Sequence, residues 1–418
     1  MLELSSHQLI LENGEALLTI SNSGNVPVTW TLDSPNEELS ISPYTGILNP
    51  GENVETSVKV FKDQLVEGLY GMGVNLSTDK EIFYHVNVQV PIFEEQRWKL
   101  DEQLVDVEYD YINDRIVAVN SSNTLLLIDP FTQQIDRIHL SFPAVCVSMS
   151  LDGKSAIVGH KAAFSRIDLD QKEILIEKGL PIEVSDLVEG PNGWVYIVPT
   201  MDITRSVYNY NWNTGEQGWS NHSDVYANSI VRISPNGKYL YSLPTNVSPP
   251  DVVKMSLGRG KTEYLYDSPY HGDYHFGNNF WIAADGEKLF TNSGNVFVLS
   301  ENPTFDLTYY GKLKAEGSVI AVSQLAENKN ICAIHNSPSN YAGKEGNFLA
   351  IYSSSLELLQ KIDLPSYYYK DNQGFYQVAQ TDILYGYPSL NDKYVIVSKS
   401  NLNYTGEQVF AIQILNLY

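Results

Sequence analysis

The residue types that most readily support chemistry stand together in the segment Tyr270-His-Gly-Asp-Tyr-His-Phe276. His271, Asp273 and His275 occupy alternate positions, so an extended strand would direct all three side chains to one side. Two imidazoles and a carboxylate can bind zinc or another borderline divalent metal. The alternative is a polar loop whose histidines form hydrogen bonds with the backbone. A metal at this position would support a metal-assisted polysaccharide lyase or hydrolase.

A second group of candidates is aromatic. Flat rings beside Asn and Asp side chains suit sugars, because the ring covers the apolar C–H face while amides and carboxylates bind the hydroxyls. The alternative is that these rings pack between neighbouring sheets. For the three consecutive tyrosines, alternation along a strand leaves at least one exposed. The candidate ligand-binding residues are Trp212, Trp219, Tyr270, Tyr274, Tyr341, Tyr367, Tyr368, Tyr369 and Tyr404.

Motifs of common enzyme classes are missing from the sequence. It contains no Gly-x-Ser-x-Gly, phosphate-loop or dinucleotide-binding glycine motif, and no nucleophile accompanies the His–Asp pair. The 418 residues include 27 basic and 50 acidic side chains, a formal net charge of −23, which repels nucleic-acid phosphates and anionic membranes. These features favour a non-catalytic binding protein without a cofactor. The acidic surplus is nevertheless compatible with a bound calcium or other divalent cation.

The elements that position these candidates come from a repeated segment. Ser150-Leu-Asp-Gly-Lys-Ser-Ala-Ile-Val158 recurs along the chain, and an Asn-Gly or Asp-Gly pair between two apolar runs predicts a two-residue β-hairpin. Four copies carry such a pair, and three weaker copies complete the set. These seven copies, at intervals of roughly 40–50 residues with one longer interval, predict a seven-bladed β-propeller. Loops from two places in each blade share one face, where the candidates above fall. The second turn residues are at positions 114, 153, 193, 237, 286, 328 and 392.

The segment Gln96-Arg-Trp-Lys-Leu100 is predicted to close the propeller. The apolar run 409–417 matches the third strand of other blades, so the last blade lacks a fourth strand unless residues 96–100 supply it. Closure by this linker strand leaves no unpaired edge where the chain ends meet. The predicted division is therefore an N-terminal domain at 1–92 and a propeller at 93–418.

Residues 1–92 contain about seven short strands separated by turn clusters, which predicts an immunoglobulin-like β-sandwich. The succession of Asn22-Ser-Gly-Asn25, Val28-Thr-Trp30, Leu39-Ser-Ile-Ser-Pro-Tyr-Thr-Gly-Ile-Leu-Asn-Pro-Gly51 and Gly68-Leu-Tyr70 resembles a BACON domain. The resemblance implies an exported protein of gut Bacteroidetes, with either carbohydrate binding or a spacer role for the domain. We favour the spacer, with Trp30 in the core.

The repeated blades also resemble bacterial surface propellers of the tryptophan-aspartate-like and YVTN types, although neither a Trp-Asp dipeptide closing a blade nor a Tyr-Val-Thr-Asn run occurs. The likeness is one of architecture and carries no function.

Compartment and partners follow as expectations. No run approaches the ~20 apolar residues of a membrane span, and Cys146 and Cys332 lie in apolar strands as small hydrophobes. No leader is visible, so the protein is either cytoplasmic or written without its leader. The 28 tyrosines and 6 tryptophans favour export. We predict a monomer in the periplasm or on the outer cell surface, with a trimmed lipoprotein leader among the options. Its propeller face would recognise a glycan or a protein partner.

Overall fold

A computed structural model describes residues 1–93, 96–201, 205–221, 224–314, 317–325, 329–337, 346–390, 392–402 and 407–417. Over these ranges the protein is all-β, and its helices are the single 3₁₀ turns Lys62–Gln64 and Pro191–Gly193. No helix in this part of the chain has the length and apolarity that a membrane crossing requires. The chain divides into two compact units, Met1–Glu95 with Ser366–Ala379, and Gln96–Pro365 with Gln380–Tyr418. The sequence-based division assigned residues 1–92 to the first domain and 93–418 to the second, and it did not place residues 366–379 with the first unit.

The first unit consists of two sheets that share one apolar core. One sheet has the strand order β1-β3-β7-β5 and the other β2-β9-β8-β4-β6, with β2 parallel to β9. Trp30 lies in the common core at 2% exposure, as predicted. The strands are β1 (Leu2–Leu4), β2 (Gln8–Ile10), β3 (Glu15–Asn22), β4 (Val28–Asp33), β5 (Leu39–Ser42), β6 (Thr45–Leu48), β7 (Asn53–Val60), β8 (Gly68–Thr78) and β9 (Phe83–Ile92).

The remaining strands form consecutive antiparallel sheets, and they lie in the second unit except within residues 366–379, which belong to the first. Six sheets, β11–β14, β15–β18, β19–β22, β23–β26, β27–β30 and β31–β34, are four-stranded in chain order, and a last sheet has the order β10-β38-β37-β36-β35. The strands are β10 (Arg97–Leu100), β11 (Leu104–Asp110), β12 (Arg115–Asn120), β13 (Thr124–Asp129), β14 (Gln134–His139), β15 (Ala144–Met149), β16 (Ser155–His160), β17 (Ala163–Asp168), β18 (Glu173–Gly179), β19 (Val184–Glu189), β20 (Trp194–Pro199), β21 (Tyr208–Asn211), β22 (Gln217–Trp219), β23 (Ile230–Ile233), β24 (Tyr239–Leu243), β25 (Val253–Ser256), β26 (Glu263–Asp267), β27 (Phe280–Ile282), β28 (Lys288–Thr291), β29 (Asn295–Val298), β30 (Tyr309–Lys312), β31 (Ser318–Gln324), β32 (Ile331–Ser337), β33 (Gly346–Tyr352), β34 (Leu358–Asp363), β35 (Tyr367–Lys370), β36 (Tyr376–Pro388), β37 (Lys393–Leu402) and β38 (Glu407–Asn416).

Among the described residues, the repeated turn joins the first two strands of five four-stranded sheets, and it joins β36 to β37 in the last sheet. At six of the predicted positions (114, 153, 193, 237, 286 and 392) the backbone φ is between 52° and 84°, the region that Gly, Asn and Asp tolerate best. Position 328 lies outside the described residues. The loop itself differs from the predicted two-residue hairpin. Ser150 N donates to Ser155 O, and Gly153 N donates to Ser150 O, which leaves four residues in the loop.

The second strand of each sheet packs against both neighbouring sheets. Successive side chains of a strand point to opposite faces, and the central apolar residues of these strands meet a different neighbouring sheet on each face. On β12, for example, Ile116 belongs to a cluster with residues of β37, while Val117 belongs to a cluster with residues of β16. The same alternation continues from sheet to sheet, with the pairs Ile157 and Val158, Ile197 and Val198, Leu240 and Tyr241, Leu289 and Phe290, Ala333 and Ile334, and Val395 and Ile396.

Strand β10 pairs with the C-terminal strand β38, as the sequence predicted. Trp98 lies opposite Ile412 and Leu100 opposite Phe410 in an antiparallel register. Leu100 is 5% exposed and packs in the cluster that joins the last sheet to the first. The strand that precedes the first sheet in the chain is therefore part of the last sheet.

Strand β36 begins in the first unit and continues into the second. Its first residues pair with β35, with Tyr367 opposite Ala379 and Lys370 opposite Tyr376. This hairpin belongs to the first unit, whereas the remainder of β36 pairs with β37 in the second unit.

Candidate functional site

The candidate site is a cleft of about 660 Å³ in the first unit. Its floor is formed by β8 and β9, where Gly71 lies opposite Gln89 and Gly73 opposite Asn87. Strand β9 buries Val86 and Val88 while His85 and Asn87 face outward. This alternation of apolar and polar side chains is what a strand with one solvated face requires.

The two glycines keep the floor of the cleft low. A Cβ atom added at Gly71 would meet no atom within 4 Å, so any side chain there would occupy the cleft itself. A Cβ atom at Gly73 would stand 2.6 Å from Cε1 of His85, whose Nδ1 lies 2.8 Å from Asn75 Oδ1. Glycine at 73 therefore allows the imidazole to lie across the neighbouring strand.

One wall of the cleft is the loop after β4. Asn36 Oδ1 accepts a hydrogen bond from Gly73 N at 3.1 Å, and Ser34 Oγ donates to Gly73 O at 2.7 Å. The backbone N–H and C=O of Gly73 thus both have hydrogen-bond partners in this loop. These bonds place Pro35 and Asn36 along the cleft.

The opposite wall is the hairpin formed by β35 and the start of β36. The Gln89 side chain fixes it, since Nε2 donates to Tyr376 O at 3.1 Å and Tyr376 N donates to Oε1 at 3.0 Å. Lys370 forms an ion pair with Glu12 and lies over the Tyr376 ring, 5.1 Å from its centroid. The ring of Phe93 stacks on Tyr368 at 4.1 Å. An amide clamp, an ion pair and ring stacking together hold the hairpin in the first unit.

Asp371 organises the tip of this hairpin. Its Oδ1 accepts from the backbone N–H of Gln373 at 2.9 Å and of Phe375 at 3.0 Å, and its Oδ2 accepts from Gln377 Nε2 at 2.9 Å. The Gln377 hydrogen bond, with help from the backbone donors, lowers the pKa of Asp371. The carboxylate is therefore a turn-forming group that stays ionised, and it leaves the half-buried Phe375 ring beside the cleft.

The cleft lining combines apolar and polar groups, and its polar groups are almost all uncharged. Asp371 is its one carboxylate, and no lysine or arginine lies among the residues that line it in the described structure. Neutral amides both donate and accept hydrogen bonds, which suits a ligand rich in hydroxyl or amide groups. The amide-bearing residues are Gln8, Asn36, Asn87, Gln89, Gln373 and Gln377.

A cluster of charged side chains lies on β11, β19 and β23, each the first strand of its sheet in the second unit. Burial raises the pKa of Glu108 to about 7 and that of Asp186 to about 6, while the Arg232 guanidinium acts in the opposite direction. Asp186 Oδ2 accepts from Val231 N, and the equivalent Asp106 Oδ2 accepts from Val147 N, each at 2.9 Å. Both acceptors therefore connect one sheet to the next, so this group supports the architecture.

The predicted tryptophans are engaged in packing. The Arg166 guanidinium lies 4.3 Å from the centroid of the Trp212 ring, and Trp219 meets Tyr208 edge-on at 5.2 Å. Both indoles pack against the cluster between the second and third sheets. The structure thus corresponds to the alternative in which these rings join neighbouring sheets.

Tyr270 and Tyr274 also contact other rings. Tyr274 stacks on Tyr309 with centroids 4.1 Å apart, and the Tyr270 hydroxyl accepts a hydrogen bond from Tyr309 N at 3.0 Å. Their ring faces are therefore largely occupied by neighbours within the chain.

The three consecutive tyrosines lie in strand β35 of the first unit rather than on a propeller face. Tyr367 is 4% exposed, Tyr368 stacks on Phe93, and the Tyr369 hydroxyl is buried without a hydrogen-bond partner among the described residues. Tyr341 and Tyr404 lie outside the described residues.

The extended geometry predicted for His271, Asp273 and His275 is wrong, because residues 271–274 form a bend. His271 Nδ1 lies 3.0 Å from Asp251 Oδ2. In the described structure, the group of ligand-type atoms around His271 consists of Asp251 and Asp267, without Asp273 or His275. The predicted histidine is thus brought together with two carboxylates that sequence reasoning did not select.

Some signals for the cleft were present in the sequence. The alternation of His85, Asn87 and Gln89 marks one polar face of a strand, and two glycines stand two residues apart in the strand before it. The wall from residues 371–377 has no such signal, because its place depends on contacts with a residue 287 positions away in the chain.

The comparisons with known proteins concern the fold. No protein-family model matches the chain, and no curated protein matches it. Among solved structures, the chain is similar to Kuenenia stuttgartiensis hydrazine synthase, with 12% identity and a TM-score of 0.50 over 78% of this chain and 98% of that one. It is also similar to the Cps50 (Swd1) β-propeller domain of Myceliophteria thermophila, with 11% identity and a TM-score of 0.51 over 76% of this chain and 98% of that one. The protein is therefore all-β and contains a β-propeller.

Proposed function

We propose that this protein is a non-catalytic binding protein that holds a neutral glycan in the cleft of its first unit, with the propeller as scaffold. The observation that carries the proposal is the composition of the cleft, in which amide side chains and one aromatic ring surround a floor of glycine backbone. Hydroxyl groups of a sugar would exchange hydrogen bonds with the amides while Phe375 covers an apolar face.

The architecture that we propose for this scaffold is a seven-bladed propeller joined to an immunoglobulin-like sandwich. The cyclic order of the apolar clusters supports seven blades, since each sheet shares a core with the sheet before it and the sheet after it. The two sheets around Trp30 support the sandwich. Its resemblance to a BACON domain supports export to the periplasm or the outer surface of a Bacteroidetes cell.

This proposal changes the role that the sequence suggested for the sandwich, from spacer to ligand-binding unit. Recognition of a glycan or protein by the propeller face stays a prediction, as does metal-assisted catalysis around His271.

Substitution of Gly71 tests the proposal directly. A Gly71→Val side chain points into empty space, so it fills the cleft without a steric clash, and valine suits a strand better than glycine does. We expect retention on a neutral-polysaccharide affinity gel to fall at least tenfold, while the thermal unfolding midpoint stays the same or rises. A panel of neutral polysaccharides with the wild-type chain identifies the gel to use.

The matched control is Gly179→Val, at an exposed strand glycine of the second unit that also has no atom within 4 Å of an added Cβ. It should leave retention unchanged. Equal retention of wild type and Gly71→Val, or binding of an extended peptide but of no polysaccharide in the panel, contradicts the proposed ligand class.

A further inference from the structure

The connection between the fourth and fifth sheets of the second unit brings three ligand-type side chains together. Strands β25 and β26 pair with Val253 opposite Asp267, and Ser268 N donates to Val252 O at 2.9 Å. Asp251 therefore stands beside the exit of β26, although sixteen positions separate it from Asp267 in the chain. His271 follows in the bend that leads to β27.

The distances within this group fit a metal-binding geometry. The ligand atoms of Asp251, Asp267 and His271 all lie within 4.8 Å of one another, and His271 Nδ1 is 3.0 Å from Asp251 Oδ2. Adjacent ligands of an octahedral ion stand about 3 Å apart when the metal–ligand distance is about 2.1 Å. The closest edge of the group thus already has the separation that a bound ion needs.

The inner carboxylate has few partners within the described part of the chain. Asp251 Oδ2 is buried there without a hydrogen bond of good geometry, and it lies 3.0 Å from His271 Nδ1, while the Ser268 side chain also interacts with the carboxylate. The carboxylates of Asp251 and Asp267 are held near each other in a half-buried position. A cation of charge +2 bound between them would offset their mutual repulsion.

We propose that Asp251, Asp267 and His271 bind a divalent transition-metal ion of the zinc or manganese type. The imidazole nitrogen favours such ions over calcium and magnesium, which prefer oxygen ligands alone. The His271 side chain is 69% exposed, so the remaining coordination positions face solvent and are open to water or to an acidic group of a ligand. The site is independent of the cleft in the first unit.

The experiment is a titration of the chelator-stripped full-length chain with ZnCl₂ in competition with a chromophoric chelator. We expect one zinc ion per chain and a higher thermal unfolding midpoint when zinc is bound, because a ligand of the folded state stabilises it. Asp251→Asn and His271→Ala should each weaken binding at least tenfold. Asn at 251 retains the acceptor that bonds Val252 N at 2.9 Å, so the loop is expected to keep its fold.

The matched control is the double variant Asp273→Asn, His275→Ala, which changes the neighbouring residues outside the group. It should bind zinc as wild type does. The proposal is overturned if wild type binds no zinc, or if the control variant loses binding while Asp267→Asn and Asp251→Asn retain it. Equal competition by Ca²⁺ or Mg²⁺ at the same concentration overturns the assigned class of ion.

Discussion

Replacing Lys254 should destabilise the second unit more than any exposed lysine can. Lys254 is 1% exposed in β25, and its Nζ donates to Asp306 Oδ2 and to Ser300 O, each at 2.8 Å. The ammonium also lies over the Tyr239 ring, 4.0 Å from its centroid. A Lys254→Met variant keeps the apolar stem but leaves the Asp306 carboxylate buried without a counter-charge.

The magnitude follows from what remains around Asp306. Removing one partner of a buried ion pair lowers the free energy of unfolding by about 3–5 kcal/mol. Asp306 keeps the Tyr266 hydroxyl at 3.0 Å and Ser300 N at 2.6 Å, so we expect a loss of about 3 kcal/mol in the free energy of unfolding. The double variant Lys254→Met, Asp306→Asn removes both charges and should lose less than Lys254→Met alone.

Urea-induced unfolding, followed by circular dichroism, measures these differences. The control is Lys238→Met, which breaks the 2.6 Å pair with Glu301 in which both side chains are about 60% exposed. That change should cost no more than about 1 kcal/mol. The reasoning is refuted if Lys254→Met costs no more than Lys238→Met, or if the two changes in the double variant are simply additive.

Two further predictions concern the inner strands and the closing strand. Because burial raises the pKa of Glu108 from 4.5 to about 7, the free energy of unfolding should fall as the pH rises from about 4.5 to about 7. In the Glu108→Gln variant, the decrease in the free energy of unfolding between these two pH values should be smaller by about 2–3 kcal/mol, as measured by urea titrations across the window. A variant with the same pH dependence as wild type would contradict this prediction. Leu100→Ala should cost about 2–4 kcal/mol, whereas Lys99→Ala, on the exposed side of β10, should cost under about 0.5 kcal/mol. Equal unfolding midpoints for these two variants would mean that β10 does not contribute to the core.

The features that could be predicted from the sequence are those set by local chemistry. Gly, Asn and Asp adopt positive φ most easily, so the residues at 114, 153 and 237 marked the hairpins directly. The partner of the Trp98 strand could be predicted because the last sheet lacked a strand and one apolar segment was left over. Trp30 could be placed in the core from its position in an alternating strand.

The features that could not be predicted depend on contacts between distant segments. Nothing near Tyr368 indicates that its ring stacks on Phe93, and nothing near His271 indicates that Asp251 will meet it. Sequence spacing selected Asp273 and His275 because alternation assumes a strand, whereas the chain bends there. A propeller brings loops from different strands to one place, and the identity of the neighbours depends on strand register, which the sequence does not state.

The return of residues 366–379 to the first unit has a consequence for synthesis of the protein. The ribosome releases the two sheets of that unit early, but Tyr376, which Gln89 holds by two hydrogen bonds, emerges only after six sheets of the second unit have been made. A nascent or prematurely terminated chain therefore has the floor of the cleft without its second wall. Only chains that include residues 366–379 would then bind the ligand. Immobilised ligand would therefore separate finished molecules from products truncated before the hairpin.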